Sequence, residues 1–305
     1  MPEVIVAIPT FRRPKGLARM LDALAKLQTA AHVHVLVADN DAEQHQGFDL
    51  CQQMRGAYRW PLDAIIAEQR GIAQVRNALV ARALENPHAQ FIAMLDDDEW
   101  PSPEWLEQML RIQRETGADA VEGAIAGVFE GETMTSFDGV ASHRGASGIS
   151  ATMEGAGNIL LSRAMLERMP QPWFDPAFAL TGGEDKDFFV RLARMGARFA
   201  WSAEGLAFTE VPATRAGLKW ALSRAYGVGN SDMRIFLKHE AAAAPRAREC
   251  IKIFASLLLS PLMFIILAAS PNRREQALRK FFRAAGKFAA LFGSTYHEYA
   301  VIHGE

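Results

Sequence analysis

The chain has 305 residues, 50% of them hydrophobic and 22% charged, which suits a folded protein with a sizeable core and excludes a disordered one. Its net charge is −2 and its pI about 6.5, so no basic bias points to a nucleic-acid partner. The two cysteines, Cys51 and Cys250, make no disulfide framework and indicate a reducing compartment.

The opening residues Met1–Pro9 have no basic n-region and no long apolar core, so no signal peptide and no export are expected. Val4–Ile8 reads as a β-branched strand ended by Pro9. Gly16–Leu27 carries Leu17, Met20, Leu21, Leu24 and Leu27 at helical spacing. His32–Ala38 is strand-like and stops at Asp39, and Leu62–Ile66 is a third strand candidate. Ile72–Leu84 has helical periodicity, and Phe91–Leu95 is an apolar strand ending at Asp96. Ser102-Pro103-Glu104 looks like a helix start, with serine at the N-cap and proline at N1. Repeated strand–helix units predict a mostly parallel sheet covered on both faces.

The middle is less regular. Asp119–Val128 can hold one or two strands, and Glu130–Ser150 reads as loop. Gly157–Leu161 is a strand followed by a helix from Arg163, and Glu184–Met195 is a helix stopped by Gly196. Arg198–Trp201 and Leu206–Val211 look like two short strands. The last ninety residues are helical: Ala216–Leu237, the nearly apolar Ile251–Ser270, and the basic amphipathic Asn272–Phe292.

Two acidic clusters stand out. Asp96-Asp97-Asp98 follows a strand directly, where open α/β sheets bind ligands. In extended chain, residues i and i+2 point the same way, so Asp96 and Asp98 can face one ligand while Asp97 points elsewhere. Mg²⁺ and similar hard cations take carboxylate oxygens and phosphates, whereas helix capping is already supplied at Ser102-Pro103. The second cluster is Thr181-Gly182-Gly183-Glu184-Asp185-Lys186-Asp187, ahead of the apolar face of Phe188, Phe189 and Leu192. Acids suit a helix N-terminus on their own account, and a positioned carboxylate also suits general-base work. Asp187 and Arg191, four apart, form a structural pair in this reading.

In motif order these segments resemble the family-2 group of inverting, GT-A-fold glycosyltransferases, across residues 3–230. The segments that carry the resemblance are Ile8-Pro9-Thr10-Phe11-Arg12-Arg13, Val37-Ala38-Asp39-Asn40, Arg70-Gly71-Ile72-Ala73-Gln74-Val75-Arg76, Leu95-Asp96-Asp97-Asp98, Gly157-Asn158 and Gly183-Glu184-Asp185. The resemblance implies a UDP-sugar donor, with Pro9, Thr10, Arg12, Asp39, Arg70, Arg76, Asp96, Asp97, Gly157 and Asn158 on the nucleotide sugar. Asp98, with Asp96, would bind Mg²⁺ or Mn²⁺, Asp185 would be the base, and Glu184 would contact the acceptor. Arg76 either reaches the base or diphosphate or is an exposed helix arginine. Two features depart from the family. Thr209-Glu210-Val211-Pro212 lacks the histidine that some relatives use as a third metal ligand, and no Gln-x-x-Arg-Trp motif of processive synthases follows the base. Arg215, Lys219 and Trp220 stand in that region, on a helix with a basic face and a buried Trp or against the diphosphate. The subgroup it looks like adds single sugars in bacterial exopolysaccharide assembly, including succinoglycan-type glucosyltransferases.

Three rivals come from other classes. A sugar-1-phosphate nucleotidyltransferase would need a Gly-rich loop after strand one, which Pro9–Arg13 lacks. A glycoside hydrolase would use two carboxylates without a nucleotide. A catalytically inactive scaffold that keeps the fold is the alternative to turnover. The sequence divides into a GT-A domain, residues 1–230, and a helical, membrane-associating region, residues 231–305. Ile251–Ser270 approaches the length needed for a ~30 Å bilayer core, yet Lys252 and Pro261 interrupt it and both flanks are basic. A re-entrant or in-plane segment on the cytoplasmic face of the cell membrane fits that pattern, with a glycan or polyprenyl-diphosphate-linked acceptor; a buried hairpin is the other reading.

Overall fold

In the computed structural model of the chain, residues 1–128, 145–211, 217–266 and 270–296 are described. They form two compact units, one of residues 1–179 with 184–211, the other of residues 180–183 with the described residues from 217 onward. The boundary expected after residue 230 therefore falls inside a helix of the second unit.

The first unit is built on one nine-stranded sheet in the order β3-β2-β1-β4-β8-β6-β9-β5, with β7 paired to β9. The strands are β1 (Glu3–Thr10), β2 (His32–Asp39), β3 (Leu62–Ile66), β4 (Ala89–Leu95), β5 (Glu99–Pro101), β6 (Ala120–Val128), β7 (Gly148–Ser150), β8 (Asn158–Ser162) and β9 (Phe199–Glu210). β3, β2, β1 and β4 are parallel neighbours, and beyond β4 the sheet is mixed. β1 shows why both faces are covered. Ile5 and Ala7 enter one core while Val4, Val6 and Ile8 enter the other, as the two-residue repeat of a strand requires. α3 (Ile72–Leu84), α5 (Arg163–Arg168) and α6 (Glu184–Arg194) fill the first core, and α1 (Pro14–Leu24) and α4 (Trp105–Thr116) the second. This is the expected α/β arrangement with helices on both faces.

Three local expectations are corrected. α4 begins at Trp105, because Ser102 N–H bonds to Leu206 O on β9 and only its carbonyl accepts from Trp105 N. The strands expected at 198–201 and 206–211 are one continuous β9, paired along β6 with a register shift near Gly123. A helix not foreseen, α2 (Gln46–Met54), follows β2. The loop expected at 130–150 lies mostly outside the described residues, as do Arg215, Ala216 and the end of the 251–270 run; its described end contains β7.

The second unit holds α7 (Leu218–His239), α8 (Ala243–Ile266) and α9 (Pro271–Leu291). Its own small core gathers Met233, Ile253 and Ala290, with Phe288 and Leu291 against them. α7 and α9 touch backbone to backbone at two glycines. A Cβ on Gly229 would lie 2.0 Å from Arg283 O, and one on Gly286 2.0 Å from Tyr226 O.

Candidate active site

β1, β2 and β4 all end at one edge of the parallel half, so Thr10, Asp39 and Asp96-Asp97-Asp98 meet there. Asp97 turns inward and is buried. Its Oδ2 accepts from Thr10 Oγ1 (2.8 Å) and Phe11 N (3.3 Å), and its Oδ1 from Arg13 Nη1 (3.0 Å). Burial pushes Asp97 up to about 7 against the pull of Arg13. Asp96 and Asp98 stay about one-third exposed, on a turn in which Glu99 N bonds to Asp96 O and not on the extended chain that the i, i+2 expectation assumed. Asp98 Oδ2 also accepts from Arg13 Nη1 at 3.1 Å.

Asp39 is buried and accepts three backbone N–H groups, from Asp41, Gly47 and Phe48. The last two are orphan donors at the start of α2, so Asp39 holds that helix as well as standing at the site edge. Asn40 does the same for the next loop: it donates to Ala67 O and Gln69 O and accepts from Gly71 N. Gly71 takes φ +137°, and a Cβ there would meet Ala179, so only glycine fits this entry to α3. Arg12 takes φ +54° and pairs with Asp41 at 2.7 Å. Arg12 and the exposed Arg70 both lie over the Phe11 ring, 5.2 and 4.9 Å from its centroid.

Arg76 is neither an exposed helix arginine nor turned outward. It is 4% exposed, and it donates from Nη2 to Asp96 Oδ1 (2.9 Å) and from Nη1 to Glu184 Oε1 (2.6 Å). The two acidic clusters are thus one network joined by a single guanidinium. Glu184 is buried, and burial with the charge of Asp185 pushes it up to about 8 while Arg76 opposes that shift. Asp185 is half-buried at the start of α6, within about 4 Å of where a Cβ on Gly155 would stand. Asp187 pairs with Arg191 at 3.0 Å, as its spacing predicts.

Two contributors, Glu99 and Glu122, carry no sequence signal of their own. Glu99 is the fourth acid after β4 and is buried; burial and the charges of Asp96 and Asp98 raise it well above the usual carboxylate range. A Cβ on Gly157 would lie 2.9 Å from Glu99 Oε1 and 3.0 Å from Asp96 Oδ2, so the chain passes close against both carboxylates here. Glu122 accepts from the backbone N–H groups of Glu154 and Gly155 and so fixes the loop beside Asp185. Asn158 faces the interior, where its amide accepts from Trp105 Nε1 (2.7 Å) and donates to Ala124 O and Gly205 O. At the position lacking the histidine, Thr209 donates to Asp98 O and Glu210 pairs with Arg19.

Among the described residues no three His, Cys, Asp or Glu side chains form a ready-made metal cage. The donor chemistry nevertheless fits a hard divalent cation, which needs only one or two carboxylates beside substrate phosphates. Asp96, Asp97, Asp98, Glu99, Glu184 and Asp185 outnumber Arg13 and Arg76, and the buried Glu99 Oε2 has no partner among the described residues.

Comparison with known proteins decides the class. The model of glycosyl transferase family 2 matches residues 5–147. The succinoglycan biosynthesis protein ExoM of Rhizobium meliloti is 30% identical over 241 residues, covering 75% of this chain and 74% of that protein. The chain belongs to glycosyl transferase family 2. This family-2 glycosyltransferase also resembles two solved structures at 15% identity, a likeness that shows the GT-A fold. The mannosyltransferase PcManGT from Pyrobaculum calidifontis, in complex with GDP-Man and Mn2+, has a TM-score of 0.65 over 96% of this chain and 88% of that one. S. aureus TarS 1-349, in complex with UDP, has a TM-score of 0.55 over 100% of this chain and 95% of that one.

Proposed function

We propose that this glycosyltransferase moves one hexose, with inversion, from a UDP-sugar to a hydroxyl of a glycan or polyprenyl-diphosphate-linked acceptor in bacterial exopolysaccharide assembly. The observation that carries the reading is the bridge Asp96–Arg76–Glu184, which ties the strand-end acids to the helix that bears Asp185. The relative in succinoglycan biosynthesis supports the pathway class, and fold neighbours solved with UDP or with GDP-Man and Mn2+ support the donor class.

Each residue then has one task. Pro9, Thr10, Arg12, Asp39 and Arg70 line the nucleotide end, where the Arg12 and Arg70 guanidiniums lie against the Phe11 ring. Asp96 and Asp98 would hold Mg²⁺ or Mn²⁺, which when bound offsets charge on the departing nucleoside diphosphate. Asp185 takes the proton from the acceptor hydroxyl as its oxygen attacks the anomeric carbon. The bond to the diphosphate breaks on the opposite face, and the configuration inverts. The enzyme works at the cytoplasmic face of the cell membrane, where a lipid-linked acceptor resides.

The test is release of nucleoside diphosphate from a panel of UDP-, GDP- and dTDP-sugars, with Mg²⁺, Mn²⁺ or chelator and bacterial membrane lipids as acceptor. Release from one donor is expected, lost with chelator and in Asp98→Asn. Asp185→Asn should lower turnover by about 10²–10⁴-fold while donor binding persists. Absence of release and of nucleotide binding from every donor would sink the reading.

A further inference from the structure

α8 presents one face that its own unit leaves largely exposed. Ile251, Phe254, Leu258, Leu262 and Ile265 are each at least half exposed, and they follow one another at helical spacing. Leu259 and Met263 widen the stripe, so the apolar arc spans about half the helix circumference at 3.6 residues per turn. Only 11% of the apolar stretch is buried, through residues such as Ile253 and Ser260. One partner helix covers a stripe of about 100°, which leaves the rest of this arc in water, whereas a lipid phase covers any width.

Charge decides how lipid is met. Residues 253–272 carry no charge in the sequence, and α8 is by length and composition able to cross a ~30 Å hydrocarbon core, so length permits a crossing and the charges beside the helix decide. α9 runs beside α8 in the opposite direction. Phe288 meets Phe254 with ring centroids 5.8 Å apart, Lys287 pairs with Glu249 at 2.6 Å, and Arg274 lies 4.4 Å from the Phe264 ring. α9 exposes Arg273, Arg279, Lys280 and Arg283. If α8 crossed the bilayer, these cations would be drawn into hydrocarbon, where each is costly. At the start of α8, Arg248 and Lys252 stand on its exposed side, level with anionic headgroups for a helix lying flat.

We propose that α8 lies in the plane of an anionic bilayer surface, its Ile251–Ile265 face sunk among the upper acyl chains, and does not cross. This deepens the reading of a membrane-bound acceptor and rests on it for its purpose, while the lipid contact is measurable without turnover.

The test uses the purified full chain in flotation with vesicles of phosphatidylcholine, alone or mixed with phosphatidylglycerol. The protein should float, with partitioning about tenfold or more stronger on the anionic vesicles. Leu258→Asp with Leu262→Asp should cut partitioning by roughly a hundredfold or more, while soluble nucleoside diphosphate release is unchanged. Depth is read independently with Leu262→Trp and lipids brominated at defined carbons. Strongest quenching high on the chains is expected, and strongest quenching at the bilayer centre would establish a crossing helix and overturn the proposal. A wild type that does not float, with a dimer that the double Asp variant converts to monomer, would assign the face to a second copy and overturn it too. Loss of diphosphate release with flotation intact would sink the transferase reading alone.

Discussion

Arg76 is the residue on which the site depends. A buried guanidinium with two carboxylates is costly to break, because removing the cation leaves Asp96 and the buried Glu184 without their partner. Arg76→Met should therefore destabilise the first unit by about 3–5 kcal/mol in urea unfolding. Arg76→Lys keeps the charge but offers one ammonium in place of a fork, so it should recover only part of the loss. Glu184→Gln placed on Arg76→Met should restore stability relative to the single change. Strict additivity in that double-mutant cycle would show that the pair carries no coupling. The sequence made the acids legible as a run directly after β4, and Asp187 finds Arg191 at its helical spacing. It did not make Arg76 legible, because burial of one arginine on α3 depends on α6, more than a hundred residues away. Glu99 was hidden for the same reason: its environment is made by Gly157 on the approach to β8.

At the scale of elements, the helical unit is held by close backbone contact as well as by its small core. The atoms opposite Gly229 are the Arg283 carbonyl and Cα, which cannot swing aside as a side chain would. Gly229→Ala should cost about 1–3 kcal/mol despite the better helix propensity of alanine, with faster amide exchange confined to α7 and α9. Gly56→Ala, where a Cβ meets nothing within 4 Å, is the matched control and should be near neutral. Unchanged exchange in Gly229→Ala would mean that the helices separate at no cost. Elements that are short apolar or helix-favouring runs were readable: Leu62–Ile66 and Ile72–Leu84 match β3 and α3 residue for residue. α2 was not, because its N-terminus is held by the distant Asp39 rather than by a local capping side chain. β9 is one strand where two were expected: its pairing with β6 breaks between Ser202 and Ala207 and resumes beyond, so the segments expected at 198–201 and 206–211 share one strand and one partner.

At the scale of the whole molecule, two units with separate cores imply separable stabilities. The first unit has two cores on the faces of its sheet, whereas the second has one small cluster and a wide apolar face in water. A small core supports little stability, so the second unit should melt first. Calorimetry of the full chain should resolve two transitions. UDP with Mn²⁺ should raise the upper one, because a ligand stabilises only the unit that binds it, by RT ln(1 + [L]/Kd). Anionic vesicles should raise the lower one by the same linkage. Leu258→Asp with Leu262→Asp should abolish the vesicle effect and leave the nucleotide effect in place. A single transition that moves with either ligand would show instead that the nucleotide site and the lipid face share one cooperative fold, and lipid would then tune donor affinity directly.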